Sequence, residues 1–382
     1  MEIDTMQDKP KKRPTISLAD GVIADIDMQD KPKKRPTISD IAKKAGVSSA
    51  TVSRVLSGSD YPVSREVRKE ILRIALGMHY KPNVFGQMLR GGTSKEIGVI
   101  IPSLSNPFYA ELVSAVEREC VERGYMPIIC SSQNRFQLET KHLDILQRKQ
   151  VAGLLLSSIH LAGAFLRTLR ALPVPFVLFD QPYDYPEIDS VSFDFLAAGK
   201  TAAEFLFDAG HKDIVFVSGP LDRFSRKRLF EGYKKAFTKK RRRFSAQNAL
   251  IAAFEQRRDD FDDDFYRGQY AAELLMKRRY LPDAVFAVND MTAIGLIKQF
   301  EKEGVHVPSD ISIVGCDNIP FGAMFVPALT TIDQSAVDTG RLAADILLNR
   351  IENKPVTVSR IMLEPKLIER ESVRKINYKV RR

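Results

Sequence analysis

The sequence predicts a small all-α headpiece followed by a larger α/β part of two lobes with parallel sheets. Three observations carry that expectation. Positive charge is concentrated: the 382-residue chain has a formal net charge of +10, and residues 31–92 hold 13 Lys and Arg against 4 Asp and Glu. Residues 37–78 place apolar side chains at helical spacing, broken by Gly46 and by capping residues. From Ile97 onward, "IGVIIPS", "MPIICSS", "AGLLLSS", "VPFVLFD", "DIVFVSG", "AVFAVND" and "ISIVGCD" alternate with helical patterns. Such near-continuous apolar runs suit strands buried on both faces of a parallel sheet, with helices as crossovers.

The N-terminal stretch comes first. "MQDKPKKRPTIS" occurs at 6–17 and again at 28–39, and only the second copy runs into "DIAKKAGVSSATVSRVLSG". Residues 1–30 carry 4 basic against 7 acidic residues and little apolar content, so residues 1–35 are expected to be a disordered extension. Both copies begin with Met, which suggests that the first is a dispensable duplication. The segment has no apolar core of a secretory signal, and no run approaches the roughly 18 apolar residues of a membrane helix. Cys120, Cys130 and Cys316 have neither disulfide-framework nor zinc spacing, which fits a reducing, cytoplasmic setting.

Three helices follow. Thr37 caps the first, with Asp40 three residues on, and Ile38, Ile41, Ala42 and Ala45 share one face. Ser48 caps the second, whose inner face is Val52, Val55 and Leu56. Ser64 opens the third, with Val67, Ile71, Ile74 and Met78 inward. Two short helices about a glycine turn make a helix-turn-helix, whose second helix enters the major groove. Its outer face presents Ser49, Ala50, Ser53 and Arg54, with Thr51 beside them. Arg54 can donate two hydrogen bonds to guanine O6 and N7. The hydroxyls of Thr37, Ser48 and Ser53 suit phosphates.

The α/β pattern is longer than one sheet normally needs, so two lobes with a cleft at the carboxyl ends of the strands are expected. Phe108 and Tyr109 lie just beyond the first strand, and Asp180, Asn289, Asp290 and Asp317 end or follow others. Carboxylates, an amide and a guanidinium around aromatics suit a polyhydroxylated ligand, because each hydroxyl both donates and accepts. Strand-end Asp residues also cap helices, and for Asp290 the cap is the preferred reading.

"AGVSSATVSRVLSG" resembles the headpiece signature of the LacI/GalR family of bacterial transcription regulators. The resemblance continues in order through "GVIIPSLSNPFYAEL", "GLLLSS", "FVLFD", "GHKDIVFVSGP", "RLFEGY", "AVFAVNDMTAIG", "VPSDISIVGCDN", "PALTTIDQ" and "LIERES", to about residue 373. The insert "TKKRRRFSAQNALIAAFEQRRDD" matches poorly. The resemblance implies a headpiece at 36–81 and a hinge helix and linker at 82–94. It implies a periplasmic-binding-protein-like (type I) effector and dimerisation domain at 95–373, then a basic tail at 374–382. Lobe 1 would span about 95–194 and 335–364, and lobe 2 about 195–334 and 365–373. In "NVFGQMLRGG" it implies that Leu89 wedges into the minor groove, with Asn83 at the start of the hinge and Arg90 beside the DNA backbone. In the cleft it implies that Asp180, Arg228, Asn289 and Asp317 hold a sugar or sugar derivative, a phosphosugar included. Phe108 and Tyr109 would be nearby, and Ser225 and Arg223 are the weaker placements.

Catalytic chemistry finds little purchase. "GKT" at 199–201 lacks the upstream glycine of a phosphate loop, and GxGxxG, GxSxG and HExxH are absent. The histidines (79, 142, 160, 211 and 306) are scattered, so no metal and no cofactor are expected. "KKRRR" at 239–243 reads as a solvated loop. The expected protein is a cytoplasmic, sugar-controlled repressor that binds a near-palindromic duplex operator as a homodimer, with a tetramer left open. Its rivals are a periplasmic-type solute-binding protein, a DNA-bending activator without ligand control, an enzyme of sugar metabolism, and a regulator answering to a purine or a protein co-regulator.

Overall fold

The computed structural model describes residues 36–57, 62–80, 94–159, 163–181, 183, 185–251, 264–354 and 357–376. The first copy of the doubled segment, the second copy as far as Arg35, and the linker residues Asn83, Leu89 and Arg90 lie outside the described residues. The chain divides into two compact units, Met1–Gly92 and Thr93–Arg382.

The first unit contains α1 (Ile38–Ala45), α2 (Ser49–Leu56) and α3 (Arg65–Gly77). Each begins where the sequence supplies a hydroxyl. Thr37 and Asp40 form a reciprocal capping box, Ser48 accepts from the Thr51 amide at 3.1 Å, and Ser64 accepts from the Val67 amide at 3.3 Å. Such caps are each worth about 1 kcal/mol. Gly46 closes α1 at φ 65°, a left-handed conformation that costs a glycine little. Ile41, Val52 and Ile71, each fully buried, bring the three helices onto one small core.

The second unit is built on two six-stranded sheets. The first sheet has the order β11-β5-β4-β3-β1-β2 and the second β12-β10-β9-β8-β6-β7. In chain order the strands are β1 (Glu96–Ile101), β2 (Met126–Ser131), β3 (Gly153–Leu156), β4 (Phe176–Asp180), β5 (Ser190–Phe193), β6 (Ile214–Ser218), β7 (Ala249–Ile251), β8 (Ala284–Ala287), β9 (Ser312–Asp317), β10 (Thr330–Asp333), β11 (Arg360–Leu363) and β12 (Lys366–Ile368). Pairing is parallel throughout except β10 with β12, which is antiparallel. The seven apolar runs all form strands. The other five are strands of three or four residues; β5 and β10 carry Ser and Thr, edge strand β11 alternates between exposed and half-buried residues, and β7 lies in the insert that matches the family poorly.

The helices are α4 (Pro107–Glu122), α5 (Phe136–Arg148), α6 (Gly163–Arg170), α7 (Phe195–Asp208), α8 (Phe224–Lys239), α9 (Asp264–Met276), α10 (Asp290–Lys302), α11 (Pro320–Met324) and α12 (Ala336–Ile351). The chain passes to the second sheet after β5, returns after β10 to supply α12 and β11, and passes back for β12. The glycine of "GKT" is structural. A Cβ on Gly199 would lie 1.9 Å from the Leu229 carbonyl oxygen, and one on Gly232 would lie 1.9 Å from that of Leu196. These two glycines let α7 and α8 pack backbone to backbone.

The carboxyl ends of β4 in the first sheet and of β8 and β9 in the second line one cleft. No described helix is long and apolar enough to cross a membrane.

Candidate functional site

Two faces of the molecule collect the chemistry. On the headpiece, α2 buries Val52 and Val55 and turns Ser49, Ala50 and Arg54 outward, with Thr51 and Ser53 half-buried at the margins. Lys43 and Lys44 at the end of α1 are exposed. Two of the three hydroxyls expected to meet phosphates, those of Thr37 and Ser48, are already employed. Thr37 Oγ1 donates to Asp40 at 2.7 Å, and Ser48 Oγ pairs with Thr51 Oγ1 at 2.9 Å while capping α2. These contacts fix the start of each helix and the angle at which α2 is presented.

The second face is the cleft between the two sheets, lined by residues from both. From the first sheet's lobe come Asn106, Phe108 and Tyr109 at the start of α4, and Asp180 and Gln181 after β4. From the second come Arg223, Ser225, Arg226, Leu229, Asp264, Asn289 and Asp317, and Gln334 stands at the passage after β10.

Asp180 is almost wholly buried and sits at φ 72°. Its Oδ2 accepts from Tyr109 Oη at 3.0 Å, Ser157 Oγ at 2.9 Å and Gln181 Nε2 at 2.9 Å. Burial raises its pKa, and these donors and the Arg223 guanidinium pull it back. Asp317, at φ 137°, accepts from Gln334 Nε2 and, at 3.4 Å, from Asn106 Nδ2. Burial first, and the neighbouring Asp290 carboxylate second, hold Asp317 well above the usual carboxylate range. Non-glycine residues at positive φ are costly and collect at binding sites; here two of the three carboxylates lining the cleft, Asp180 and Asp317, occupy that region.

Two expectations are corrected. Arg228 does not line the cavity: it is half exposed and pairs with Glu231 on its own helix at 3.1 Å. Positions two apart on a helix point nearly opposite ways, and the inward residue is Arg226. Arg226 is buried and lies 3.6 Å from Asp264 and 3.7 Å from Asp222. Asp290 is no cap either. Asn289 caps α10 by accepting from the Thr292 amide at 2.9 Å, and its amide donates to Asp264. Asp290 is fully buried and braces the chain behind Asp317.

Phe108, Tyr109, Asp180, Ser225, Asn289 and Asp317 are brought together at the cavity. Sequence reasoning overlooked Asn106, Gln181, Arg226, Asp264 and Gln334. Asn106 had a signal: it precedes Pro107 and caps α4, accepting from the Phe108 amide at 3.0 Å. Gln334 follows a four-residue strand with no apolar run to announce it. Among the described residues, no cluster of His, Cys, Asp and Glu could hold a metal ion.

The chain matches the family described as "Bacterial regulatory proteins, lacI family" over residues 37–83, and the periplasmic binding protein-like domain over residues 185–373. It is 34% identical over 343 residues to the HTH-type transcriptional repressor PurR of Haemophilus influenzae, covering 88% of this chain and 98% of that one. It is 32% identical over 335 residues to the ribose operon repressor of Escherichia coli, covering 87% and 98%. Among solved structures, the lac repressor dimer bound to operator and an anti-inducer aligns with a TM-score of 0.77 at 25% identity, covering 89% of this chain and 100% of that one. A regulator from Enterococcus faecalis with bound ribose aligns with a TM-score of 0.64 at 27% identity, covering 74% and 100%.

Proposed function

The chain belongs to the LacI family of bacterial transcription regulators, and from that premise we propose that it is a repressor whose operator affinity is set by an unphosphorylated sugar in the cleft. That it is a sequence-specific DNA-binding regulator, and not an enzyme, follows from family membership. The intact headpiece sets aside the solute-binding-protein reading.

One observation carries the effector assignment. Two buried carboxylates, Asp180 from one sheet and Asp317 from the other, face a single cavity that also holds the Asn289 amide and the Arg226 guanidinium. Such a set can accept from and donate to a ring of hydroxyls. Phe108 and Tyr109, edge to face at 5.2 Å, supply an apolar wall for the ring's C–H face. The lining holds the carboxylates of Asp180, Asp264 and Asp317 against the guanidiniums of Arg223 and Arg226. That balance favours a neutral ligand over a phosphosugar. The E. coli ribose operon repressor and the ribose-bound regulator make D-ribose the first sugar to try.

In this reading Arg54, Ser49, Ala50, Thr51 and Ser53 meet the operator, with Thr37 and Ser48 near the backbone. A homodimer presents two headpieces to two half-sites, as a dimer does in the lac repressor complex. By family resemblance Asn83, Leu89 and Arg90 would meet the DNA, and a sugar that binds one state of the cleft better than another would couple the two sites by differential affinity.

The test is a thermal-shift series with D-ribose, other pentoses and hexoses, and their phosphates, followed by operator binding with each hit. A sugar at a hundred times its Kd should stabilise the chain by about 2.7 kcal/mol. A response to phosphosugars alone would contradict the neutral-ligand reading.

A further inference from the structure

Besides Gln334 and Asn106 in the cavity wall, residues that do not line the cavity hold Asp317 in place. At the end of β9, Asp317 and Asn318 take positive φ values of 137° and 60° in succession. Asn318 takes a value that asparagine tolerates, whereas the value at Asp317 persists only where the surroundings over-determine it. Two groups from distant parts of the chain do so here. The Ile319 amide donates to Asp290 Oδ2 at 2.9 Å, and Thr331 Oγ1 donates to Asp290 Oδ1 at 2.5 Å. Arg370 donates to Asn318 Oδ1 and to the Leu329 carbonyl, both at 2.7 Å.

The fit around Asp290 is close. A Cβ on Gly315 would stand 2.1 Å from Asp290 Oδ1, so the carboxylate fills the space that a side chain at 315 would take. Asp290 therefore reaches β9, β10 and the turn between β9 and α11 with one group. Arg370, on the segment after β12, clamps the same turn from the other side.

We infer that Asp290 and Arg370 are positioning residues for Asp317, fixing the turn that aims its carboxylate into the cleft without touching the effector themselves. The inference rests on the reading of the cleft as the effector site. Asp317 faces the carboxylates of Asp290, Asp264 and Asp180, and lies within electrostatic reach of Tyr109 and Cys316, while Arg370 offsets the charge of Asp290. Removing the Asp290 charge relieves repulsion on Asp317, so a lower Asp317 titration reports only that the two carboxylates adjoin, and weakened sugar binding beside it reports positioning.

The experiment uses the full chain as wild type, Asp290→Asn and Arg370→Ala. D-Ribose binding is measured by calorimetry, and the carboxyl resonance of Asp317, assigned through Asp317→Asn, is titrated without sugar. Each variant should weaken D-ribose binding by about tenfold, the order of magnitude for partners in one hydrogen-bond network. In Asp290→Asn the Asp317 titration should move to lower pH. Should Asp290→Asn fail to fold, Arg370→Ala, from the surface side of the turn, should still shift the Asp317 resonance. Wild-type D-ribose affinity in both variants would overturn the inference, whatever the Asp317 titration does. If wild type does not bind D-ribose, the ribose assignment falls, and the positioning role is decided by whether Arg370→Ala moves the Asp317 resonance.

Discussion

Asn106 Nδ2 reaches across the cleft to Asp317 Oδ2 at 3.4 Å, while Asn106 Oδ1 caps α4 by accepting from the Phe108 amide. One amide thus joins the start of a helix in the first lobe to the end of a strand in the second. Loss of the Asp317 charge should impair the response to effector and spare operator binding. We expect Asp317→Asn to retain operator affinity while requiring at least about tenfold more sugar for the same response, as for a charged hydrogen bond worth about 1.5–3 kcal/mol. An unaltered dose response in an operator-release assay would remove Asp317 from the site.

The two arginines of α8 make opposite predictions. Arg226 is buried against Asp264, whereas Arg228 is half exposed in a pair with Glu231. Arg228→Gln should alter stability by less than about 1 kcal/mol, the usual worth of a surface pair, and leave sugar binding near wild type. Arg226→Gln should weaken or abolish it. Calorimetry on the pair settles the assignment, and the reverse pattern would restore Arg228 to the cleft.

A pH effect on stability follows from Glu139. It is fully buried on α5, and neither carboxylate oxygen meets hydrogen-bond geometry with a described residue. Burial raises its pKa from 4.5 to about 7, and the nearby Ser158 hydroxyl draws it down only in part. A carboxyl with a raised folded-state pKa stays protonated longer folded than unfolded. Its contribution is therefore retained below pH 4.5 and lost as pH rises towards and through about 7. Asp290, raised to about 6 chiefly by burial, acts in the same sense at lower pH. Thermal melts at pH 5.5 and pH 8 should show wild type losing on the order of 2 kcal/mol relative to Glu139→Gln. Parallel pH profiles for the two proteins would sink this prediction.

Much of the fold was legible because burial on both faces writes a strand as an unbroken apolar run. "VPFVLFD" and "ISIVGCD" announced β4 and β9, and the Asp at the end of each announced a group at the mouth of the sheet. The headpiece was legible for a different reason: Thr37, Ser48 and Ser64 are local signals that need no tertiary context. What stayed hidden depended on such context. Arg226 and Arg228 differ only in helix phase, and that phase is fixed by Gly232 packing onto Leu196. Asp290 and Asn289 are adjacent candidates for one cap, and only the arrival of Thr331 and Ile319 gives Asp290 another task. Gln334 follows a strand too short and too polar to be read.

The headpiece makes the sharpest claim. Arg54 stands exposed near the end of α2, whose inner face is sealed by Val52 and Val55. The deciding measurement is competitive selection of genomic fragments by the full chain at moderate salt, with and without D-ribose, repeated for Arg54→Ala. The account predicts enrichment of fragments with a near-palindromic site, altered by the sugar. It predicts that Arg54→Ala loses about 1–3 kcal/mol on that site and little on bulk DNA. Equal affinity of the wild-type chain for every fragment and for bulk competitor, whatever sugar is present, would contradict it.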